Sequence, residues 1–443
     1  MTNDTMDWSS LIKNKDSLLV STDTRNLPAG CVFFALHGAN FDGNKFALQA
    51  LEQGASLAVI DDPEVFAAYS SSPLASSPIA NSQSPIAHPR LFLVEDTLLA
   101  LQDLARAWRR ELGLPIIGIT GTNGKTTTKE LLATVLSTKY NLHYTQGNLN
   151  NQIGVPLTLL QITRAHEMAI VEMGASHPGD IKELVEIAEP TCGLITNVGR
   201  AHLEGFGSFE GVQQTKQELY DYLVAHQGII FRNTDNPFLM QMHEKALTTH
   251  LELLEPLKPL KQQLSCEGDF VAYTTGVMPD GTRLIGAYNA ENISAALCVG
   301  EHFGVDREQG LAAIRQYVPT NNRSQAMTTE HNQLIVDAYN ANPTSMQAAI
   351  SVFKGDTFIL GAMRELGEYT HLEHQNVVNM LAERKADLVY LVGKEYRLTT
   401  SPYPIFDTVE ELHAYLEQHP LKDRYILLKG SRSTKMEKLL DVL

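Results

Sequence analysis

The sequence has few cysteines, and none is placed to pair locally. Cys31, Cys192, Cys266 and Cys298 lie far apart with no CxxC spacing. Reduced thiols are therefore expected, not a disulfide framework or a cysteine-rich zinc site. Basic charge is also scarce: 35 Lys and Arg against 51 Asp and Glu give a net charge of −16. That balance argues against non-specific binding to nucleic acid, whose phosphates attract Lys/Arg-rich faces, so no nucleic-acid partner is expected. An anionic small molecule held by a local basic cluster remains open. No apolar run is long enough to span a bilayer, and the opening MTNDTMDWSS has neither the basic nor the apolar part of a secretory signal. A cytoplasmic protein without a membrane span is expected.

At 443 residues the chain is too long for one ordinary core, so two or three domains are expected. The segment Ser70–Pro89, SSSPLASSPIANSQSPIAHP, is rich in Ser, Pro and Ala and carries no charge before His88. Such a stretch buries too little apolar surface to offset its ordering entropy, which predicts a mobile surface insert. Its flanks, ASLAVI and RLFLVED, read as strands. From Pro115 onward short apolar runs alternate with helical stretches: PIIGIT, MAIVEM, CGLITNV, GIIFRN, then LIVDAY, TFILGA, DLVYLVG and YILLKG. Runs apolar at consecutive positions predict an α/β fold with parallel sheets covered on both faces. Ligands of such sheets sit at the carboxyl ends of the strands. The expected division is 1–113, 114–318 and 319–443.

The strand PIIGIT runs into GTNGKTTT and then a helix. Gly121 and Gly124 let the backbone of Thr122 and Asn123 turn its N–H groups toward phosphate oxygens. Lys125 can reach the β/γ phosphates, and the Thr126 hydroxyl, followed by Thr127, can hold Mg²⁺. Ile119 stands where the general GxxxxGK[ST] pattern has its first glycine. The order of strand, loop and helix still predicts a nucleoside triphosphate site, with ATP and Mg²⁺ as the expected pair. Read alone, the other polar positions have ordinary roles: Glu172 a strand-end cap, His202 a loop histidine, and Lys216 a solvated charge near a helix start. Asn289 and Asn292 suit helix capping. Asn148, Asn150 and Asn151 form an Asn-rich turn, common without any ligand.

The GTNGKTTT variant resembles the Mur ligase superfamily, and the resemblance extends over nearly the whole chain. Downstream stand NLNNQIGVPLTLL, VEMGASHPGDI, TNVGRAHLEGFGSFEGVQQTKQEL, YNAENISAAL, DAYNANPTSM, LGAMRELGE and LKGSR. The block STDTRNLPAGCVFFALHGANFDGNKF looks like that family's uridine-diphosphate substrate domain. The resemblance implies three domains: an N-terminal α/β UDP-substrate domain, a central ATPase-like parallel-sheet domain and a C-terminal Rossmann-like domain. It also implies an ATP-dependent carboxylate–amine ligase that acts through an acyl phosphate. The likeness is greatest to the branch that adds D-alanyl-D-alanine to UDP-N-acetylmuramoyl-tripeptide, with a monomer expected.

The same resemblance implies roles by position. Glu172 and His202 would ligate Mg²⁺, and Lys216 would be carbamylated and so become an anionic ligand. Asn289 and Asn292 would meet the adenine end of ATP, Asp337 its ribose, and Arg323 a phosphate. Asp23, Thr24 and Arg25 would contact uridine diphosphate, while Asn148, Asn150 and Asn151 would line the passage to the phosphates. Arg364, Glu365, Lys429 and Arg432 would meet the incoming dipeptide. The family's third-residue ligase carries a DNPR motif in its last domain. The only similar tetrapeptide here is Asp235-Asn236-Pro237-Phe238, without the arginine and in the central part. A mechanical ATPase is a reading of another class, opposed by the presence of Lys216, Glu172 and His202.

Overall fold

A computed structural model describes residues 8–38, 41–70, 90–253, 269–270, 281–282, 284, 286, 289–319 and 323–443. The low-complexity insert lies outside the described residues except Ser70, which ends the helix Pro63–Ser70. Cys266 and residues 320–322, at the expected second boundary, also lie outside them. The chain gathers into two compact units, residues 1–118, 140–173 and 183–190, and residues 119–139, 174–182 and 191–443.

The first unit is built on a four-stranded parallel sheet in the order Val20–Ser21, Val32–Phe34, Leu57–Ile60, Leu91–Leu93. The last two strands are those read from ASLAVI and RLFLVED. The sheet buries Phe33, Ala58, Ile60 and Leu91 against Ala47, Ala50 and Leu51 of the helix Ala47–Glu52. A longer helix, Thr97–Leu112, begins where the Asp96 carboxylate accepts from Leu99 N at 2.9 Å and ends at Gly113, whose φ of 65° is left-handed. One face of it is buried through Ala100, Leu101, Leu104, Ala105 and Trp108. The Trp108 indole N–H keeps a partner there, donating to Ile162 O at 2.8 Å. Leu142–Tyr144 and Met168–Glu172 form a parallel pair in the same unit.

In the second unit, Cys192–Ile195, Ile229–Asn233 and Asp269–Phe270 run parallel in succession. A second sheet has the order Gln325–Thr328, Gln333–Asp337, Tyr425–Lys429, Thr357–Gly361, Leu388–Val392, Ile405–Phe406. Its first pair is antiparallel, a hairpin edge that the sequence reading did not contain, and the others are parallel. Burial on both faces explains the consecutive apolar positions. Leu334, Val336, Ile359, Tyr390, Val392, Ile426 and Leu428 pack to one side, and Ile335, Phe358, Leu360, Val389, Leu391 and Leu427 to the other. Among the described residues no helix is long and apolar enough to cross a membrane. Cys31, Cys192 and Cys298 are free thiols.

Candidate active site

The strand Ile116–Thr120 opens into the glycine loop, and Lys125–Leu136 is the helix that follows. Gly121 has φ 143° and Gly124 φ 80°, both disfavoured for a side chain. Space forbids one as well. A Cβ on Gly121 would stand 2.0 Å from Thr196 Oγ1, and one on Gly124 2.6 Å from Asn292 Oδ1. The loop is laced to the segment after Cys192–Ile195. Thr122 N donates to Asn197 O at 3.0 Å, Asn123 N to Asn197 Oδ1 at 3.0 Å, and Thr196 Oγ1 to Asn123 O at 2.6 Å. Gly199 N donates to Thr122 Oγ1 at 2.9 Å. Thr196 and Asn197 thus hold the loop, a part that no single position announced in the sequence; the signal was a Thr-Asn pair at a strand's carboxyl end. Lys125 Nζ is held over the loop by Gly121 O at 2.6 Å and Thr122 O at 3.2 Å. Thr126 is buried beneath it and Thr127 half-buried.

Asn289 and Asn292 lie at the start of the helix Asn289–His302, and both are buried. Asn292 Oδ1 accepts from Thr128 Oγ1 at 3.0 Å, and its Nδ2 donates to Asn289 Oδ1 at 2.8 Å. Asn292 therefore braces the loop helix from below.

Lys216 is not near a helix start. The helix runs Phe209–Ala225 because Ser208 caps it, its Oγ accepting from Gly211 N at 3.1 Å, and Lys216 falls in its middle. Nor is it a solvated charge: it is 2% exposed, its ammonium 5.7 Å from the ring centroid of Phe206. Burial pushes its pKa well below the ordinary lysine value, and the charge of Lys125 adds to the push; Asp180 and Glu218 only partly oppose it. The neutral form is thereby favoured over what a solvated lysine would show. His202 shares this neighbourhood. Burial lowers its pKa, Glu365 opposes the shift, and the charges of Lys125 and Lys216 reinforce it. Its Nδ1 is paired with Glu365, which was expected instead at the dipeptide. Both residues are left-handed, at φ 50° and 60°, a conformation costing non-glycine residues about 1–3 kcal/mol and clustering at functional sites.

Asp337 and Lys429 are register partners on adjacent parallel strands, joined by a 2.5 Å ion pair, and Lys429 is 1% exposed. Lys429 is thus an internal counter-ion to Asp337, which also accepts from Ser324 N at 3.2 Å. Lys429→Ala leaves that carboxylate uncompensated and is expected to lower stability by about 3–5 kcal/mol, read from urea unfolding. Arg364 pairs with Glu395 and donates to Ser433 Oγ at 3.1 Å. Arg323 and Arg432 both lie over the Tyr339 ring, at 3.9 and 5.6 Å from its centroid. From the same loop, Asn342 Nδ2 donates to Asn123 Oδ1 at 2.8 Å, reaching the glycine loop directly.

In the first unit, Asp23 and Arg25 are bound to each other at 2.6 Å, beside half-exposed Thr24. That hydrogen-bonded guanidinium holds the Asp23 carboxyl at a pKa of about 2. Buried Glu172 accepts from Asn150 Nδ2 at 2.9 Å, and its N–H donates to Thr145 Oγ1 at 3.0 Å. Asn151 is a cap: its Oδ1 accepts from Ile153 N and Gly154 N, at the head of the helix Gly154–Leu160. Asn148 is exposed, and its carbonyl accepts from Asn150 N at 2.8 Å.

Three family models match the chain: "Mur ligase family, catalytic domain" over residues 19–109, "Mur ligase middle domain" over 119–300 and "Mur ligase, glutamate ligase domain" over 322–432. The UDP-N-acetylmuramoyl-tripeptide–D-alanyl-D-alanine ligase of Bacillus subtilis (strain 168) is 33% identical, with 95% of this chain and 92% of that one covered. The enzyme of the same name from Escherichia coli (strain K12) is 32% identical, covering 96% and 93%. Among solved structures, MurF from Acinetobacter baumannii superposes with a TM-score of 0.77 at 28% identity, covering 95% and 92%. MurF from Thermotoga maritima in complex with ADP gives 0.77 at 26%, covering 97% and 98%.

Proposed function

As this chain belongs to the Mur ligase family, we propose that it joins D-alanyl-D-alanine to UDP-N-acetylmuramoyl-tripeptide at the expense of ATP. The observation that carries the chemistry is the meeting of the glycine-loop lysine with a buried lysine and a histidine: Lys125, Lys216 and His202. A carboxylate does not react with an amine at neutral pH. Transfer of the γ-phosphoryl group to the peptide carboxylate, with release of ADP, turns one oxygen into a leaving group. The dipeptide amine then attacks the acyl carbon, and the tetrahedral intermediate expels phosphate. The loop N–H groups and Lys125 position the phosphates and offset charge that grows on the transferring group.

The donor set fits Mg²⁺. The Thr126 hydroxyl stands in the first turn of the loop helix, and burial favours the unprotonated form of the His202 imidazole. In its neutral form, which burial favours, the Lys216 amine can add to CO₂, releasing a proton and leaving a carbamate, an oxygen ligand suited to a hard cation. Glu172 joins this list from the family resemblance. When bound, Mg²⁺ supplies charge neutralisation for the phosphates. Asp337, joined to Lys429 but still 17% exposed, remains the ribose candidate, and Asp23, Thr24 and Arg25 the uridine-diphosphate candidates. The reading includes domains at 1–113, 114–318 and 319–443, a cytoplasmic location and a monomer.

UDP-N-acetylmuramoyl-tripeptide with D-alanyl-D-alanine should drive ADP formation, measured as coupled phosphate release. The UDP-muramoyl-dipeptide with a diamino acid should not. Preference for the second pair would move the chain to the third-residue branch, MurE.

A further inference from the structure

We propose that Arg200 and Glu373 are positioning residues that hold the loop of His202 in place for the reaction. The strand Cys192–Ile195 runs on through Thr196 and Asn197 into residues 199–206. The start of that segment is tied to the glycine loop, Gly199 N donating to Thr122 Oγ1. The rest leans on the loops and helices of the second sheet. Arg200 N donates to Thr344 Oγ1 at 2.9 Å, and a Cβ on Gly199 would stand 2.7 Å from the same atom. Glu204 N donates to Glu365 O at 3.2 Å, and His202 pairs with the Glu365 side chain. Tyr369 packs against the cluster of Leu203, Phe206 and Val212. The Arg200 guanidinium closes this seam, donating to Glu373 Oε1 at 2.8 Å.

The two ends of the pair are buried unequally. The Arg200 side chain is 53% exposed, whereas that of Glu373, in the helix Thr370–Glu383, is 5% exposed. The second Glu373 oxygen accepts from Asn376 Nδ2 at 3.2 Å. A carboxylate sheds its water to lie there, and an apolar residue of similar volume commonly stabilises such a place as well or better. What the charge adds is selection: it fixes which cation lies against it. The charge of Arg200 also reaches exposed Glu210, in the first turn of the helix Phe209–Ala225, yet its hydrogen bond goes to Glu373. That choice draws residue 200 toward the second sheet. His202 follows two positions later with φ 50°. A non-glycine residue keeps such a conformation only where the surrounding contacts over-determine it, and the Arg200 pair is one of those contacts. Without Glu373, Arg200 is free to turn to Glu210 or to water. That the reaction needs this placement rests on the ligase reading. The tie itself does not.

Hydrogen–deuterium exchange of the full chain, without nucleotide, reads the loop directly in peptides covering 199–206. Glu373→Gln is the decisive variant, because it strands no buried charge and leaves Arg200 solvated. It should speed exchange of that segment by about tenfold, as the loss of one charge-assisted bond implies. The strand Tyr425–Lys429 should keep the parent's rate, since the opening is local. Arg200→Gln should loosen the same segment, and the double variant should be no faster than the faster single, because both break one pair. Arg200→Lys, which keeps the charge on a compact ammonium, should fall between Arg200→Gln and the parent. In turnover, Glu373→Gln should lower kcat by about tenfold, the scale of a small misplacement near the reacting groups. The KM for ATP should stay near the parent's, because the glycine loop keeps its own ties to Thr196 and Asn197. Unchanged exchange of 199–206 in Glu373→Gln overturns the proposal, as do additive effects of the two single variants. So does faster exchange throughout the chain, which marks lost stability alone, or a full kcat alongside the loosened loop. Failure of the ligase reading looks different: no acceptor pair would form ADP, yet exchange at 199–206 would still depend on the pair.

Discussion

Lys125→Ala is expected to lower kcat by about 10²–10³-fold at saturating ATP, the range seen when one donor to a developing charge is removed. The ammonium is held in place by Gly121 O and Thr122 O, carbonyls of the loop that it serves. Its position is therefore set before any phosphate arrives, and Lys216 cannot take its place, being buried in the middle of another helix. Saturating ATP removes the contribution of weaker binding, so the remaining loss reports the transfer step. A variant turning over within a few fold of the parent would show that the glycine loop is not where the phosphoryl group moves. Lys125→Arg should recover little, because a planar fork cannot occupy the place of a compact ammonium.

Lys216→Ala should be nearly inactive, with a loss of about 10²-fold or more, and acetate should restore part of it. A lysine with the ordinary pKa of about 10.4 is a cation at neutral pH and attacks CO₂ poorly. Here burial and Lys125 favour the neutral amine. The carbamate it forms carries negative charge into a place where Lys125 had disfavoured positive charge. Alanine leaves room for a small carboxylate to stand in that place. Lys216→Arg should be inactive and not rescued, since it fills the space and keeps the charge. Acidification should also silence the parent reversibly as the amine protonates, and added bicarbonate should oppose this near the midpoint. High activity of Lys216→Arg, or indifference of Lys216→Ala to acetate, would rule out the carbamate.

The strands were legible because burial on both faces writes itself as unbroken apolar runs, and all eight runs after Pro115 are strands. The glycine loop was legible because its two glycines answer local demands of backbone angle and space. What failed depended on partners distant in sequence. Nothing near Lys429 reveals that its strand sits beside Gln333–Asp337, 92 residues earlier in the chain, so its pairing with Asp337 was invisible. Lys216 looked solvated because one helical turn does not disclose which face is covered. Asn292 and Asn151 look alike as helix-start amides. One braces the loop helix through Thr128, and the other caps its own helix.

The fit between Gly121 and Thr196 has a consequence for how such a loop can change over time. The missing side chain at one position is the space occupied by the hydroxyl at the other, 75 residues along the chain. Neither can be altered alone without harm: a methyl at 121 collides with Thr196, and a smaller residue at 196 gives up the hydrogen bond to Asn123 O. The two sites form one hereditary unit. A lineage could leave this arrangement only through a step in which both residues change together, or through an intermediate in which the loop is already impaired.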